Sequence, residues 1–172
     1  MNIDLSNLLN SSDSVHHLNG EVNNQLIDLD LGDYKIVEPI KYNGYIYKSS
    51  SSYDINIDIA YKYETKCARC LHSTIKEVKT SVAGELLNYG EKPEASVKDD
   101  DVISLEKDGI LDIDKHIIGE VVSSLPMKTL CAENCKGICP QCGTDLNTES
   151  CDCLDEYIDP RFEKLKDFFV KD

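Results

Sequence analysis

Eight cysteines dominate the chemistry available to this 172-residue chain. Six fall near the C-terminus as Cys131-Ala-Glu-Asn-Cys135-Lys-Gly-Ile-Cys139-Pro-Gln-Cys142-Gly, then Cys151-Asp-Cys153. A further pair stands far upstream as Cys67-Ala-Arg-Cys70. Two thiols separated by two residues in a tight turn aim both sulfurs at one point, and Pro140 and Gly143 favour such a turn around Cys139 and Cys142. The chemistry implied is zinc binding by four thiolates in a tetrahedron, each sulfur about 2.3 Å from the metal.

The spacing suggests two sites. Cys139 and Cys142 pair with Cys151 and Cys153 across a short loop to make a compact knuckle. Cys67 and Cys70 must find distant partners, and Cys131 and Cys135 remain to supply them. The division is not unique. One site from Cys135, Cys139, Cys142 and either Cys151 or Cys153 is also feasible, and His72, close after Cys70, could replace a sulfur. One or two ions are therefore open. His16, His17 and His116 have no ligand-like spacing.

All-cysteine sites are closed and electron-rich, so they suit holding loops together better than activating water. A redox role for Cys67 and Cys70 is disfavoured because such dithiols work best at a helix N-terminus, whereas their flanks read as strands. The chain carries no P-loop, no glycine-rich dinucleotide loop and no Gly-x-Ser-x-Gly elbow. The expectation is a protein that is not an enzyme.

These thiols must be positioned by strands. In Tyr53-Asp-Ile-Asn-Ile-Asp-Ile-Ala-Tyr-Lys-Tyr63, every second residue is Ile or Tyr, which predicts a β-strand with one buried face. Residues Ile36–Tyr47 form a second strand-like run, expected to break near Pro39 and Asn43-Gly44. Thr74–Leu87 resumes the pattern less cleanly, which makes an antiparallel meander with Cys67 and Cys70 in its second turn. Asp112 fits a helix N-cap, and Ile113, Ile117, Val121 and Leu125 make one apolar stripe that Pro126 ends. Residues 89–101 read as an exposed loop. Asp159 and Pro160 open a short terminal helix with Phe162, Leu165, Phe168 and Phe169 on one face. The first 35 residues are ambiguous. The fold class expected is α+β: a β-rich meander or partial barrel with one or two helices, over residues 1–127. Residues 128–172 form a small zinc-binding tail.

Net charge is −14. An acidic whole argues against broad nucleic-acid binding, since phosphate affinity comes from Lys and Arg. The charge is uneven: residues 41–82 hold seven bases against four acids, while residues 1–40 hold one base, Lys35, against seven. A basic strand region could touch RNA through Lys62, Lys66, Arg69 and Lys76. Acidic flanks would equally suit a basic protein. The N-terminus carries an acid where a secretory signal needs bases, and no run approaches the roughly 18 apolar residues of a membrane span. A cytoplasmic location with reduced thiols is expected, which favours metal over disulfides.

The combination of Cys67-Ala-Arg-Cys70-Leu after a strand, Leu125-Pro-Met-Lys-x-Leu-Cys131 and Cys135-Lys-Gly-Ile-Cys139-Pro-Gln-Cys142-Gly-Thr-Asp-Leu-Asn147 resembles the bacterial YceD family. Asp159-Pro-Arg-Phe-x-x-Leu165 adds to the match. The resemblance runs from about Asp28 to the end. It implies a non-enzymatic cytoplasmic protein needed for normal levels of large-subunit rRNA, with no catalytic residues to carry over. Together with the split between a basic strand region and acidic flanks, this makes the expected partners a large-subunit precursor, its rRNA or a basic ribosomal protein, without a membrane or a small-molecule substrate. The rival expectation is a zinc-dependent protein-interaction module in transcription or translation regulation.

Overall fold

The computed structural model describes residues 2–5, 14–23, 31–49, 52–87, 90, 102–105 and 109–153. Its centre is the long hairpin of β5 (Tyr53–Lys66) and β6 (Ser73–Leu87), paired antiparallel from Tyr53↔Leu86 to Lys66↔Ser73. The alternation expected for β5 is present: Ile55, Ile57, Ile59, Tyr61 and Tyr63 are all buried, and the intervening side chains face outward. β4 (Ile40–Lys48) lies on the other side of β5, and β2 (Val15–Val22) lies beyond β4. The short β3 (Lys35–Ile36) pairs with Glu64 and Tyr63, so β3 and β4 run along the same edge of β5, separated at Pro39. Proline cannot donate to a ladder, which accounts for the break there.

Two expectations are corrected. The chain does not break at Asn43-Gly44: β4 runs through both, because Gly44 has no side chain to strike β5. A Cβ on Gly44 would stand 2.2 Å from the Asn56 carbonyl oxygen and 2.8 Å from Ile57 Cα. Nor is the sheet wholly antiparallel. β7 (Val102–Ser104) pairs parallel to β6 at Glu85–Leu87, so the sheet is mixed. A parallel neighbour needs a long crossover in place of a tight turn, and residues 88–101 provide that length.

The ambiguous N-terminal residues contribute β2 and also β1 (Asn2–Asp4), which pairs with β8 (Ile110–Asp112) in a separate two-stranded ladder. α1 (Ile113–Ser124) follows β8 directly. Asp112 caps it, its Oδ1 accepting from the Lys115 N–H at 3.4 Å, and Ile113, Ile117 and Val121 are fully buried. Leu125 leaves the helix in an extended conformation, as a residue before proline prefers. The described fold is thus α+β, a β-rich mixed sheet with one helix on its inner face. The expected loop at 89–101 (Gly90 apart) and the expected helix after Asp159 lie outside the described residues. No described helix is long and apolar enough to cross a membrane.

Candidate metal centres

The inward alternation of β5 does not stop at Tyr63. It continues through Thr65 to Cys67, both buried, so the pleat that builds the core also aims the first sulfur beneath the sheet. The β5–β6 connection then closes on itself. The Cys67 N–H donates to the His72 carbonyl at 2.9 Å, and the Leu71 N–H to the Cys67 carbonyl at 3.0 Å. Three tyrosine hydroxyls hold the opposing segment. Tyr34 donates to the Pro126 carbonyl, Tyr61 meets Ser124 Oγ at 2.9 Å, and Tyr63 meets buried Thr129 Oγ1 at 3.0 Å. The Ala68 N–H donates to the Thr129 carbonyl at 2.8 Å, fixing the place where the chain delivers Cys131.

The result is a first cluster of Cys67, Cys70, Cys131 and Cys135. Cys67 Sγ lies 3.8 Å from Cys135 Sγ, and Cys70 Sγ lies 3.6 Å from Cys131 Sγ. Cations from the hairpin hold the Cys131–Cys135 loop by its backbone. Arg69 Nη1 donates to the Cys135 carbonyl at 2.8 Å, and Lys76 Nζ to the Cys131 carbonyl at 3.0 Å.

Four residues after Cys135 the chain enters a second cluster of Cys139, Cys142, Cys151 and Cys153. Gly137 makes the passage possible. It has φ +81° and packs on the first turn, where an added Cβ would lie 3.1 Å from the Arg69 carbonyl. The Ile138 N–H donates to that same carbonyl at 3.2 Å. In the knuckle itself, the Gly143 N–H donates to the Cys139 carbonyl at 2.9 Å and the Cys139 N–H to the Thr144 carbonyl at 2.8 Å. Asn147 ties the clusters together: its Oδ1 accepts from the Lys136 N–H at 2.8 Å, and its Nδ2 reaches Cys135 Sγ at 3.5 Å.

Both clusters fit a tetrahedral metal. Sulfurs about 2.3 Å from a shared centre stand about 3.8 Å apart at tetrahedral angles, and the Cys67–Cys135 and Cys70–Cys131 sulfur spacings of the first cluster, 3.8 and 3.6 Å, match that edge. All four sulfurs in each group lie within 4.8 Å of one another. A donor set of sulfur alone suits zinc. The thiols within a group are also unequal. Backbone N–H groups of Cys70 and Cys131 lower the Cys67 thiol to about 6, and the Thr144 hydroxyl and N–H lower Cys142 to about 6. Each then receives hydrogen bonds from neighbours pushed the other way. Cys131 rises to about 12 beside Cys135 and Cys70, and Cys153 to about 12 beside Cys142. The clusters differ in access: Cys67, Cys70 and Cys135 are buried, whereas Cys142 is exposed and Cys151 and Cys153 are half-buried.

A family profile described as "Large ribosomal RNA subunit accumulation protein YceD" matches residues 55–169, from within β5 past every cysteine. The chain belongs to the YceD family. An uncharacterized protein of Mycobacterium tuberculosis (strain ATCC 25618 / H37Rv) is 34% identical over 100 residues, 58% of this chain and 47% of its own length. An uncharacterized protein of Mycobacterium leprae is 31% identical over 108 residues, 63% of this chain and 49% of its own. A third relative, "Large ribosomal RNA subunit accumulation protein YCED homolog 1, chloroplastic" of Arabidopsis thaliana, is 38% identical over 55 residues, 32% of this chain and 17% of its own. This YceD-family chain thus spans just under half the length of its mycobacterial relatives. No solved structure matches it.

The basic residues singled out for RNA are differently placed. Lys62 is ion-paired to Glu38 at 3.0 Å, and Arg69 and Lys76 face the Cys131–Cys135 loop as described. Lys66 is exposed. His72, the alternative ligand, lies 3.5 Å from Asp145 Oδ2 and belongs to neither sulfur group. Sequence reasoning missed the bracing residues: Tyr34, Tyr61, Tyr63 and Thr129 under the first cluster, and Asn147 between the two. One signal was available. A buried tyrosine hydroxyl needs a partner, and the alternation already placed Tyr61 and Tyr63 inside.

Proposed function

We propose that this chain is a non-catalytic, zinc-stabilised factor that supports accumulation of large-subunit rRNA. It acts in the cytoplasm by binding a ribosomal precursor or a ribosomal protein. The observation that carries the reading is the family match, which takes in both four-thiol clusters and whose description names this process. The Arabidopsis relative carries the same process in its name. Cys67, Cys70, Cys131 and Cys135 would hold one ion, and Cys139, Cys142, Cys151 and Cys153 a second. Zinc bound there supplies cross-links between the β5–β6 turn and the C-terminal segment, a structural role for closed all-sulfur sites.

The test is to remove the chain from its host cells and restore it. Loss is expected to lower large-subunit rRNA relative to small-subunit rRNA, and return of the chain to reverse the loss. The tagged protein is expected to sediment with immature large subunits, released by RNase. An unchanged rRNA ratio with all protein at the top of the gradient would contradict the proposal.

A further inference from the structure

The outward face of the sheet is concave, and its charges are arranged for a cationic guest. One depression of about 440 Å³ lies over β5 and its neighbours, lined by Tyr47, Asp54, Asn56, Ala83 and Glu85 among others. A second, of about 530 Å³, continues along the same face between Lys41, Asn43, Asp58, Ala60, Lys79 and Ser81. The floor is low because the outward residues at the centre are small: Ala60, Ser81 and Ala83. His17, Tyr45 and Tyr47 form an aromatic row along one side, with ring centroids 4.5 Å and 5.9 Å apart, and Tyr47 is 43% exposed.

The lysines nearest the two depressions are already engaged, whereas Lys35 and Lys66 lie at the thiol end of the face. Lys41 pairs with Glu21 at 3.8 Å, Lys62 with Glu38 at 3.0 Å and Lys79 with Glu77 at 3.7 Å. The acids Asp54, Asp58 and Glu85 form no ion pair among the described residues. Asp54 and Glu85 are moreover direct cross-strand partners, and Tyr47 lies opposite Asp54 on its other side. Like charges facing each other across a ladder destabilise it, and a guanidinium between them would relieve that repulsion. A guanidinium also stacks on a tyrosine face and pairs bidentately with carboxylates. At the two depressions a phosphate backbone would meet the opposite situation: paired lysines, and carboxylates with no ion pair among the described residues.

We infer that the outer sheet face docks an arginine- and lysine-rich polypeptide segment, with an arginine seated among Tyr47, Asp54 and Glu85. Its place in ribosome assembly, as a basic ribosomal protein segment, rests on the function proposed above; the binding chemistry does not.

The probe is a short, fluorescently labelled arginine-rich peptide, with a lysine-rich peptide of equal charge and a single-stranded RNA for comparison, titrated into the full chain. The double variant Asp54→Asn/Glu85→Gln is expected to weaken arginine-peptide binding about tenfold, as loss of two partly exposed charge pairs implies. Glu133→Gln/Glu149→Gln makes the same charge change away from this face and is expected to cost less than about threefold. Tyr47→Ala should weaken the arginine peptide more than the lysine peptide. Without any ligand, the Asp54/Glu85 variant should unfold at a higher temperature than the native chain, because the facing charges are gone. Equal losses in the two double variants, a lowered unfolding temperature, or RNA binding that depends on Tyr47 would each overturn the inference. None of these readouts involves a ribosome, so they stand or fall separately from the rRNA measurement.

Discussion

At the residue scale, what distinguishes the two thiol clusters is how backbone N–H groups and neighbouring sulfurs divide the protons. Cys67 and Cys142, each at about 6, are largely thiolates near neutral pH, whereas Cys131 and Cys153, each at about 12, keep their protons. Zinc needs every ligand deprotonated, so its binding must expel protons and weaken as pH falls. Near pH 7 the release should be fewer than four protons per ion, since one thiol in each group starts ionised. Below about 6 those two thiols are protonated as well, so release should rise toward four and affinity should fall more steeply. Calorimetry in buffers of different ionisation enthalpy measures the count; a value independent of pH would refute the assignment. Arg69 gives a second residue-scale prediction. Its guanidinium holds the Cys135 carbonyl, and outer partners of metal ligands are typically worth 10–100-fold in affinity. Arg69→Ala should therefore weaken zinc binding by roughly tenfold or more, read by competition with a chromogenic chelator.

At the element scale, a register runs from the pleat of β5 to the C-terminal segment. Tyr63→Phe removes the partner of the hydroxyl of Thr129, a residue only 5% exposed, and leaving such a group unsatisfied costs about 1–3 kcal/mol. The expected outcome is a lower urea midpoint together with weaker retention of the first metal; an unchanged midpoint would show that Thr129 finds another partner. Gly137→Ala should be worse for the clusters than for the sheet. It forces a side chain into φ +81° against the Arg69 carbonyl, a strain of about 1–3 kcal/mol that sits between the two knuckles. The sequence made much of this legible. Period-two Ile and Tyr residues revealed β5, and Asp112 with its four-residue apolar spacing revealed α1. β6 read less cleanly because its inward side chains, such as Thr74, Lys76 and Thr80, are half-buried under a helix and a loop. The parallel strand β7 was illegible, since three residues carry no period and parallel pairing is set by distant packing. Gly44 misled as a turn signal because its role is close approach between strands.

At the scale of the whole molecule, the core and the thiol clusters are separate. The main apolar cluster draws on the sheet, α1 and the N-terminal strands without including a cysteine, while Cys67, Cys70 and Cys135 form their own buried group. Metal removal should therefore loosen residues 127–153 while leaving the sheet folded. Chelator-treated protein is expected to be cut rapidly by trypsin at exposed Lys128, while its β-sheet circular dichroism is retained. Spacing pointed to this division of the cysteines but left others open, including one site around Cys135, and the fold selects among them; the bracing by Tyr63, Arg69 and Asn147 was not readable, since it depends on which carbonyl or sulfur the fold brings near. Metal stoichiometry by native mass spectrometry of the full chain and two variants decides whether both clusters bind zinc. Two zinc ions are expected in the native chain, with one lost in Cys67→Ser and the other in Cys142→Ser. A native chain that binds one ion or none, or two single-site variants that keep full occupancy, would contradict this.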